Sequence, residues 1–397
     1  MSNPTMSLAL KHLRVLDLTR VRAGPTCCRV LADFGADVVK IEAPPGVDPN
    51  EGISGHRHGY DMLNLHRNKR SLTLNLKKPE GLEVFKSLVK TADVVVENYR
   101  PDVKTRLGID YEALEKINPR IILASVSGFG QDGPYAKRAG FDQIAQGMGG
   151  LMWVTGKPGE GPMRAGTAVA DSTAGLYAAT GIMIALAERE QSGKGQWLHT
   201  SLLQAQIALM DFQAARYLVD REVPAQTGND HPYSTPVGVI ETSDGFINIA
   251  VGGDGQWRDL CIALARPELV DHPDYATVQN RFKSRPAVWA LLQPIFAEKT
   301  SAEWLDLLEE ANVPAGPIYK VDEMFEDPQV RHLGIAQTVN HHARGDVEII
   351  GQPLVLDRTP ASIDVAAPDA GEHTDEILQE MGLTEEHIAQ LKASGVV

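Results

Sequence analysis

Short apolar strand patterns alternate with helical patterns through the first half of this chain, and this alternation constrains its fold most. Residues 14–18 have the pattern of an apolar strand, residues 25–34 that of a helix ending before Gly35, and residues 37–42 that of a second strand. The unit takes about 29 residues, close to the usual length of a strand–helix–strand crossover. Such alternation predicts a parallel sheet with helices on both faces and ligands outside the carboxyl ends of its strands.

The same pattern continues along the chain and then changes. We predict further helices and strands, in chain order, at 79–91, 93–97, 111–117, 120–125 and 171–190. A polar, proline-bearing stretch at 221–236 has the composition of a linker. Hairpin-like strands and helices follow it, which predicts a second, smaller domain that begins near residue 237.

The distribution of charge limits the classes of ligand. A net charge of −14 argues against nucleic acid as a partner. Residues 64–106 nevertheless carry ten basic and five acidic side chains. Such a segment could bind a phosphorylated small molecule, although composition alone favours scattered, solvated charge.

The cysteines and the apolar runs bear on the cellular compartment. Cys27, Cys28 and Cys261 cannot form a disulfide framework, which is typical of a protein in a reducing cytosol. No apolar run approaches the roughly 18–20 residues of a membrane-spanning helix, and no secretory signal is visible at the start of the chain. We therefore expect a cytoplasmic protein without a membrane partner.

Several common catalytic motifs are missing from the sequence. It contains no G-x-x-x-x-G-K-[ST] phosphate loop, no G-x-S-x-G nucleophile elbow, no C-x-x-C and no H-E-x-x-H. The first strand–helix turn, residues 21–25, lacks the G-x-G-x-x-G pattern of a dinucleotide site, although Glu42 ends the second strand where a ribose-binding acid would lie. We expect neither a catalytic metal nor a dinucleotide.

Asp171 is the carboxylate that stands out. It lies in Thr167-Ala-Val-Ala-Asp171, where an apolar strip meets a predicted helix. Aspartate at such a point is a good helix N-cap, and capping alone could explain it. A helix N-terminus also stabilises an anion, and an ionised, positioned carboxylate can attack an acyl carbon. The structural and catalytic interpretations are compatible.

Two more segments have the chemistry of a ligand site. In Val251-Gly-Gly-Asp-Gly-Gln256-Trp257, glycines could let backbone N–H groups approach an oxyanion, or could simply form a turn. The basic stretch 67–77 could direct cations to phosphates, or could be a charged edge strand.

Taken together and in order, five stretches resemble the family III CoA-transferases of the CaiB/BaiF type, which include formyl-CoA transferase. They cover about half of the chain and are Leu16–Pro25 running into Leu31–Glu42; Asn68–Leu72 with Pro79–Gly81; Ala92–Asn98 with Arg106–Gly108; Ser127–Pro134 with Gly140–Asp142; and the Asp171 segment followed by Gly193-Lys-Gly-Gln196.

The resemblance implies a Rossmann-like large domain that both chain ends form, a smaller α+β domain between them, and an interlocked homodimer. We place the large domain at 1–220, the linker at 221–236, the small domain at 237–330, and the segment that returns to the large domain at 331–397.

The resemblance also implies a reaction and the residues that perform it. Asp171 would attack an acyl-CoA and form first a mixed anhydride and then an aspartyl-CoA thioester, which a carboxylic acid acceptor resolves. CoA is then a substrate, and no tightly bound cofactor or metal is needed. Arg22, Gly252 and Gly253 would join Asp171 as catalytic residues. The CoA-binding residues would be Leu74, Lys77, Asn98, Tyr99, Arg106 and Leu107.

Two positions depart from related proteins. Arg22 replaces the glutamine of formyl-CoA transferase, and an arginine there could pair with a second carboxylate, as in succinyl-CoA. The α-methylacyl-CoA racemases need a histidine where this chain has Phe141, and phenylalanine cannot exchange a proton. A racemase or isomerase and a non-catalytic acyl-CoA-binding protein remain the alternatives to a CoA-transferase.

Overall fold

The computed structural model describes residues 9–48, 52–53 and 55–397. Contacts divide the chain into two units. Unit 1 comprises the described parts of Met1–Leu151, together with Arg164–Arg221 and Gln329–Val397. Unit 2 comprises Met152–Met163 and Glu222–Pro328.

The strands in the described part of the chain form three sheets. They are β1 (Arg14–Asp17), β2 (Asp37–Glu42), β3 (Lys69–Thr73), β4 (Val94–Glu97), β5 (Ile122–Ser127), β6 (Trp197–Ser201), β7 (Val237–Glu241), β8 (Phe246–Ala250), β9 (Ala315–Pro317), β10 (Ala336–His341) and β11 (Gly345–Ile350).

The helices of the same residues range from one turn to more than six turns. They are α1 (Ala23–Asp33), α2 (Tyr60–His66), α3 (Pro79–Val89), α4 (Pro101–Leu107), α5 (Tyr111–Glu115), α6 (Asp142–Met148), α7 (Leu151–Val154), α8 (Val169–Ser192), α9 (Leu202–Leu209), α10 (Asp211–Asp220), α11 (Asp254–Ala263), α12 (Val278–Lys283), α13 (Arg285–Phe296), α14 (Ser301–Glu310), α15 (Val321–Glu326), α16 (Pro328–Leu333), α17 (Thr374–Glu380) and α18 (Glu385–Ala393), with a 3₁₀ turn at Pro267–Leu269.

Unit 1 is built on a parallel six-stranded sheet of order β3-β2-β1-β4-β5-β6. The predicted parallel α/β sheet is thereby confirmed. The strand order reverses between β1 and β4, and ligands of such sheets bind in the crevice at the carboxyl ends of these two strands. The strand order alone therefore predicts a ligand site at the residues just after Asp17 and Glu97.

Both faces of this sheet are covered, because side chains alternate along each strand. Val15 and Val94 face one core, which contains α1, α8 and α9. Leu16 and Val95 face the other core, which contains α3, α17 and α18. The last residues of the chain thus pack on a sheet formed by its first half.

Helix α8 has 24 residues and contains an 18-residue window that is apolar enough, by length and composition alone, to cross a membrane. Its packing gives a different reason for that composition. A Cβ atom on Gly175 would lie 2.4 Å from the carbonyl oxygen of Ala23, so only glycine permits the close approach of α8 to α1. One face of α8 is buried in the first core, and the other exposes Leu176, Tyr177 and Ile184.

Unit 2 has an antiparallel sheet of order β7-β8-β9. Its core centres on Trp257, with apolar residues of α11, α13 and α14. Residues 152–163, which we assigned to the large domain, belong to this unit. The side chain of Gln226 donates to the carbonyl oxygens of Thr155 (2.7 Å) and Gly161 (2.6 Å), and these contacts hold the segment there.

The predicted starts of two helices need correction. Helix α1 begins at Ala23 rather than residue 25, because the N–H of Thr26 already donates to the Arg22 carbonyl at 2.8 Å. Helix α8 begins at Val169 rather than Asp171, and its N-cap residue, Ala168, has no side chain that can cap. The Asp142 side chain, from α6, takes this capping role instead.

Candidate active site

A cavity of about 800 Å³ lies at the carboxyl ends of β1 and β4. Two contacts join the loops that follow these strands: the Arg20 N–H donates to Asn98 Oδ1 at 3.1 Å, and Asn98 Nδ2 donates to the Arg20 carbonyl at 2.7 Å. The cavity is within the usual size range of small-molecule sites, roughly 300–1,000 Å³. It occupies the crevice that the strand order indicates.

The six residues predicted to bind CoA all line this cavity: Leu74, Lys77, Asn98, Tyr99, Arg106 and Leu107. They come from the segments that follow β3 and β4 and from α4, so the fold brings together residues up to 33 positions apart. Burial and the neighbouring Glu97 carboxylate raise the pKa of Tyr99. Its phenol is therefore neutral and can only exchange hydrogen bonds with a ligand.

The cations of the cavity differ in how they are paired. Arg20 pairs with Asp48 (2.8 Å), and Arg57 pairs with Glu42 (2.6 Å). Lys77 is exposed, and Arg106 contacts Asp102 only at 3.5 Å. Cations that are weakly held at a cavity edge suit phosphate groups, whose oxygens accept charge-assisted hydrogen bonds.

A buried ion pair supports the floor of the cavity. Lys69 Nζ lies 2.8 Å from Asp17 Oδ2, and both side chains are inaccessible to solvent. Burial would raise the pKa of Asp17, but Lys69 and Lys40 outweigh it and lower the pKa to about 2. The ionised carboxylate accepts from the Thr19 N–H at 2.9 Å and so fixes the turn that enters the cavity.

Asp171 lies in the first turn of α8, not at its N-cap. Its side chain is half-buried, and its carboxylate has no hydrogen-bond or ion-pair partner within the described ranges. Burial raises the pKa of Asp171 from 3.8 to about 6; the neighbouring Asp142 also raises it, and Arg22 lowers it. At pH 7 the Asp171 side chain is therefore ionised in most of the protein molecules.

Asp142 performs the capping role that we considered for Asp171. Its Oδ1 accepts from the backbone N–H groups of Ala170 (2.9 Å) and Asp171 (3.2 Å). Gln146, fully buried one turn later on α6, donates to Asp142 Oδ2 at 2.6 Å and accepts from Ala165 N at 2.9 Å. The first turn of α8 is thus capped from outside, which leaves the Asp171 carboxylate free.

Arg22 is the cation that influences Asp171. It precedes α1, and the residue before it, Val21, has φ = 65°. A β-branched residue in this left-handed region is strained, and such strain often occurs at functional sites. The Arg22 guanidinium contacts Asp61 Oδ1 at 2.7 Å. Arg22 is thus already paired in this structure, while its charge still lowers the pKa of Asp171.

The glycine segment lies in unit 2, between β8 and α11. The backbone N–H groups of Gly252 (2.9 Å) and Gly253 (3.2 Å) both donate to Gln256 Oε1. The N–H groups of Gly252 and Gly253 thus point at one oxygen, as predicted for oxyanion donors. In this structure, however, that oxygen is the side-chain Oε1 of Gln256 and not a ligand atom. They can serve a ligand only when the Gln256 amide moves away.

Sequence reasoning missed the structural roles of Asp142 and Gln146. Both lie in the segment after Phe141. The sequence does carry one indication of their role. Ala168, which precedes Val169, has no side chain that can cap a helix, so the first N–H groups of α8 need an acceptor from another part of the chain. Sequence could not identify which side chain does so.

Comparisons with known proteins cover nearly the whole chain. A family model described as CoA-transferase family III matches residues 10–374. A succinate–glutarate CoA-transferase from Agrobacterium fabrum is 38% identical over 389 residues, 95% of this chain and 97% of that protein. A succinyl-CoA:glutarate CoA-transferase from Mus musculus is 36% identical over 392 residues, 98% and 90% respectively. A CaiB/BaiF family protein from Brucella suis matches with a TM-score of 0.83 and 36% identity, covering 94% of this chain and 100% of that chain.

Proposed function

Because this chain belongs to family III of the CoA-transferases, enzymes that move coenzyme A between an acyl-CoA and a carboxylic acid, we propose that Asp171 is its covalent nucleophile. The predicted family and the class of reaction are confirmed. One observation supports the proposed role of Asp171 above others: Asp142 caps α8, and the half-buried Asp171 carboxylate therefore has no structural task in the described residues.

The proposed reaction has four steps that balance without an external proton or electron donor. The Asp171 carboxylate attacks the donor thioester, and the C–S bond breaks to give a mixed anhydride and CoA thiolate. The thiolate attacks the Asp171 acyl carbon, which releases the donor acid and leaves an aspartyl-CoA thioester. The acceptor carboxylate displaces the thiolate from Asp171 and forms a second anhydride. The thiolate then attacks the acceptor acyl carbon, and Asp171 is regenerated.

Mass spectrometry of the Asp171 peptide tests this covalent route. After incubation with succinyl-CoA and acid quenching, we expect a peptide whose mass has increased by an acyl group or by CoA. An unmodified peptide from enzyme that is turning over, at several quench times, would contradict the proposal. Exchange of the α-hydrogen with deuterium would instead indicate the racemase or isomerase alternative, which Phe141 disfavours because its side chain carries no exchangeable proton.

We place the CoA moiety in the cavity at the carboxyl ends of β1 and β4. Its support is the lining: the six predicted residues gather there, and weakly paired cations lie at its edge. Arg22 links this cavity to the proposed nucleophile. Arg20, two residues before Arg22, lines the cavity, and the Arg22 charge lowers the pKa of Asp171. The role of Gly252 and Gly253 as oxyanion donors remains a proposal from the sequence, and within unit 2 it requires the Gln256 amide to move.

We further propose that the CoA donor is a dicarboxylyl-CoA such as succinyl-CoA. The two curated relatives are named for succinate or succinyl-CoA and glutarate. Arg22 offers a physical basis for this preference. Its planar guanidinium carries five N–H donors, more than the contact with Asp61 can use, so it could also receive the free carboxylate of such a donor.

Replacement of Arg22 by glutamine should discriminate between donors. We expect kcat/KM for succinyl-CoA to fall by roughly 10- to 100-fold, the value of a charge-assisted hydrogen bond, and kcat/KM for butyryl-CoA to fall much less. The control is Asp61→Asn, which removes the same ion pair but leaves the arginine. Equal losses with both donors in Arg22→Gln would show that Arg22 does not recognise the carboxylate.

The predicted homodimer remains a proposal. Its support is an apolar surface that unit 1 leaves exposed on two helices, Leu176 and Ile184 on α8 and Leu218 and Val219 on α10. Large exposed apolar side chains of this kind mark protein–protein interfaces. Light scattering during size-exclusion chromatography should give the mass of two chains, and a stable species with the mass of one chain would argue against it.

The predicted cytoplasmic location also remains a proposal. All three cysteines are free and buried, which is compatible with a reducing compartment.

A further inference from the structure

Three histidines and an aspartate from distant parts of the chain meet in unit 1. His58 precedes α2, His341 ends β10, and His342 begins the turn to β11. One ring nitrogen from each histidine lies within 4.8 Å of those of the other two. Asp369, which precedes α17, places Oδ1 at 2.7 Å from His58 Nε2 and Oδ2 at 2.9 Å from His342 Nε2.

One atom of this cluster lacks the partner that its burial requires. His341 is only 1% exposed, and its Nε2 is buried without a hydrogen bond within the described part of the chain. A buried polar atom without a partner destabilises the folded state. A metal ion bound at this nitrogen would give it a partner once its proton has moved to Nδ1.

We propose that His58, His341, His342 and Asp369 bind one divalent transition-metal ion of the Zn²⁺ class. Three imidazoles and a carboxylate are a complete tetrahedral ligand set for zinc. The mutual spacing of the three histidine nitrogens suits a single ion, and Asp369 contacts two of these histidines. His341 ends strand β10, and the other three residues lie in loops, so no single helix or strand sets the spacing of the four. The fold alone brings them together, which explains why no sequence motif indicates the site.

Metal binding would change several existing contacts, because the Asp369 oxygens now lie against His58 Nε2 and His342 Nε2. His341 Nδ1 accepts from the Ala343 N–H at 3.1 Å, so the neutral ring carries its proton on Nε2. Coordination at Nε2 moves that proton to Nδ1, and this contact is lost. Arg344 donates to the His58 carbonyl at 2.9 Å.

The site is next to the cavity but apart from the groups that act on Asp171. His56 and Arg57, beside His58, line the cavity, and so does Ala370, beside Asp369. The causes of the raised Asp171 pKa are burial and Asp142, opposed by Arg22, and no member of the cluster is among them. The ion would thus be structural: it would join the β10–β11 hairpin to two cavity-lining segments and would take no part in acyl transfer.

The test is metal binding by the full-length protein after chelator treatment and desalting. Calorimetric titration with ZnCl₂ should show one site per chain, and CoCl₂ should give the visible absorption of tetrahedral Co²⁺. His342→Ala and Asp369→Asn should each weaken Zn²⁺ binding by at least about 10- to 100-fold. Both residues are exposed or half-exposed, so these variants should fold. His387→Ala, an exposed histidine on α18, is the matched control and should bind as the unchanged protein does.

Three outcomes would overturn the proposal. The first is an absence of stoichiometric Zn²⁺ binding, which would make the cluster a set of ordinary histidine–aspartate contacts. The second is binding that His342→Ala and Asp369→Asn do not weaken, which would place the ion elsewhere. The third is an octahedral Co²⁺ spectrum in the unchanged protein. Thermal unfolding gives a readout independent of activity, because Zn²⁺ should raise the melting temperature of the unchanged protein and of His387→Ala only.

Discussion

Replacement of Asp171 by asparagine should lower the rate of CoA transfer by at least about 10⁴-fold, the scale seen when an enzyme loses its nucleophile. The amide keeps the size of the side chain but is a poor nucleophile, so neither the anhydride nor the aspartyl thioester can form. The Asp142 cap contacts backbone N–H groups, which the substitution leaves in place. Transfer of CoA from succinyl-CoA to glutarate, followed by chromatography, is the measurement.

The matched control is Asp375→Asn, an aspartate in the first turn of α17 that pairs with Lys392. It should retain the activity of the unchanged protein. Substantial transfer by Asp171→Asn, with correct mass and folding, would show that the reaction does not pass through this side chain.

The pH dependence of the unchanged enzyme should report the same group. Because the pKa of Asp171 is about 6, kcat/KM should fall about tenfold per pH unit as the pH decreases below 6. A nucleophile with the ordinary pKa of 3.8 would show no such loss above pH 5. A flat profile between pH 5 and 7 would contradict the assigned pKa.

Asp171→Asn should be more stable than the unchanged protein, although it should be far less active. A carboxylate with a raised pKa in the folded state destabilises that state above this pKa, and the cost disappears as the pH falls from 6 through 3.8. Allowing for partial solvent exposure, Asp171→Asn should be more stable by about 1–2 kcal/mol at pH 7–8. The difference in urea midpoint should close toward pH 4.

Replacement of Asp33 by alanine should lower the free energy of unfolding by about 3–5 kcal/mol, because it leaves the buried charge of Arg67 without its partner. The Asp33 carboxylate accepts from Arg67 Nε (3.0 Å) and Nη2 (2.7 Å), and both side chains are fully buried. It also accepts from Gln352 Nε2 at 2.7 Å, so α1 and the returning segment of the chain share this anion.

A second readout separates this effect from a general loss of stability. Asn68 donates to both Asp33 (3.0 Å) and the Ser362 carbonyl (2.7 Å), and we therefore expect the segment 352–365 to become sensitive to protease in Asp33→Ala. The control is Glu83→Ala, which breaks the exposed pair with Lys86 and should change stability by less than about 1 kcal/mol. Equal midpoints for the two variants would show that the buried pair contributes no more than a surface pair.

Local sequence patterns predicted much of unit 1 because its strands are buried on both faces and its turns contain glycine or proline. The strand at 37–42 was placed correctly at both ends, and the helix after Pro79 began where proline at a first helical position predicts. The starts of α1 and α8 were wrong by two residues, because the groups that satisfy their first turns are a backbone carbonyl and a side chain from another helix.

The sequence by itself determined the parallel sheet, the family and the carboxylate proposed as nucleophile, since strand periodicity, ordered motifs and residue identity are properties of the linear chain. Only the tertiary structure decided which groups act around that carboxylate: Asp142 caps the helix, and Arg22 is shared with Asp61. It also showed that Gln256 occupies the glycine N–H donors within unit 2. The histidine cluster around Asp369 likewise exists only in the fold. The physical reason is that pKa values, ion pairs and ligand sets depend on distances between residues far apart in sequence, and those distances are fixed only when the cores pack.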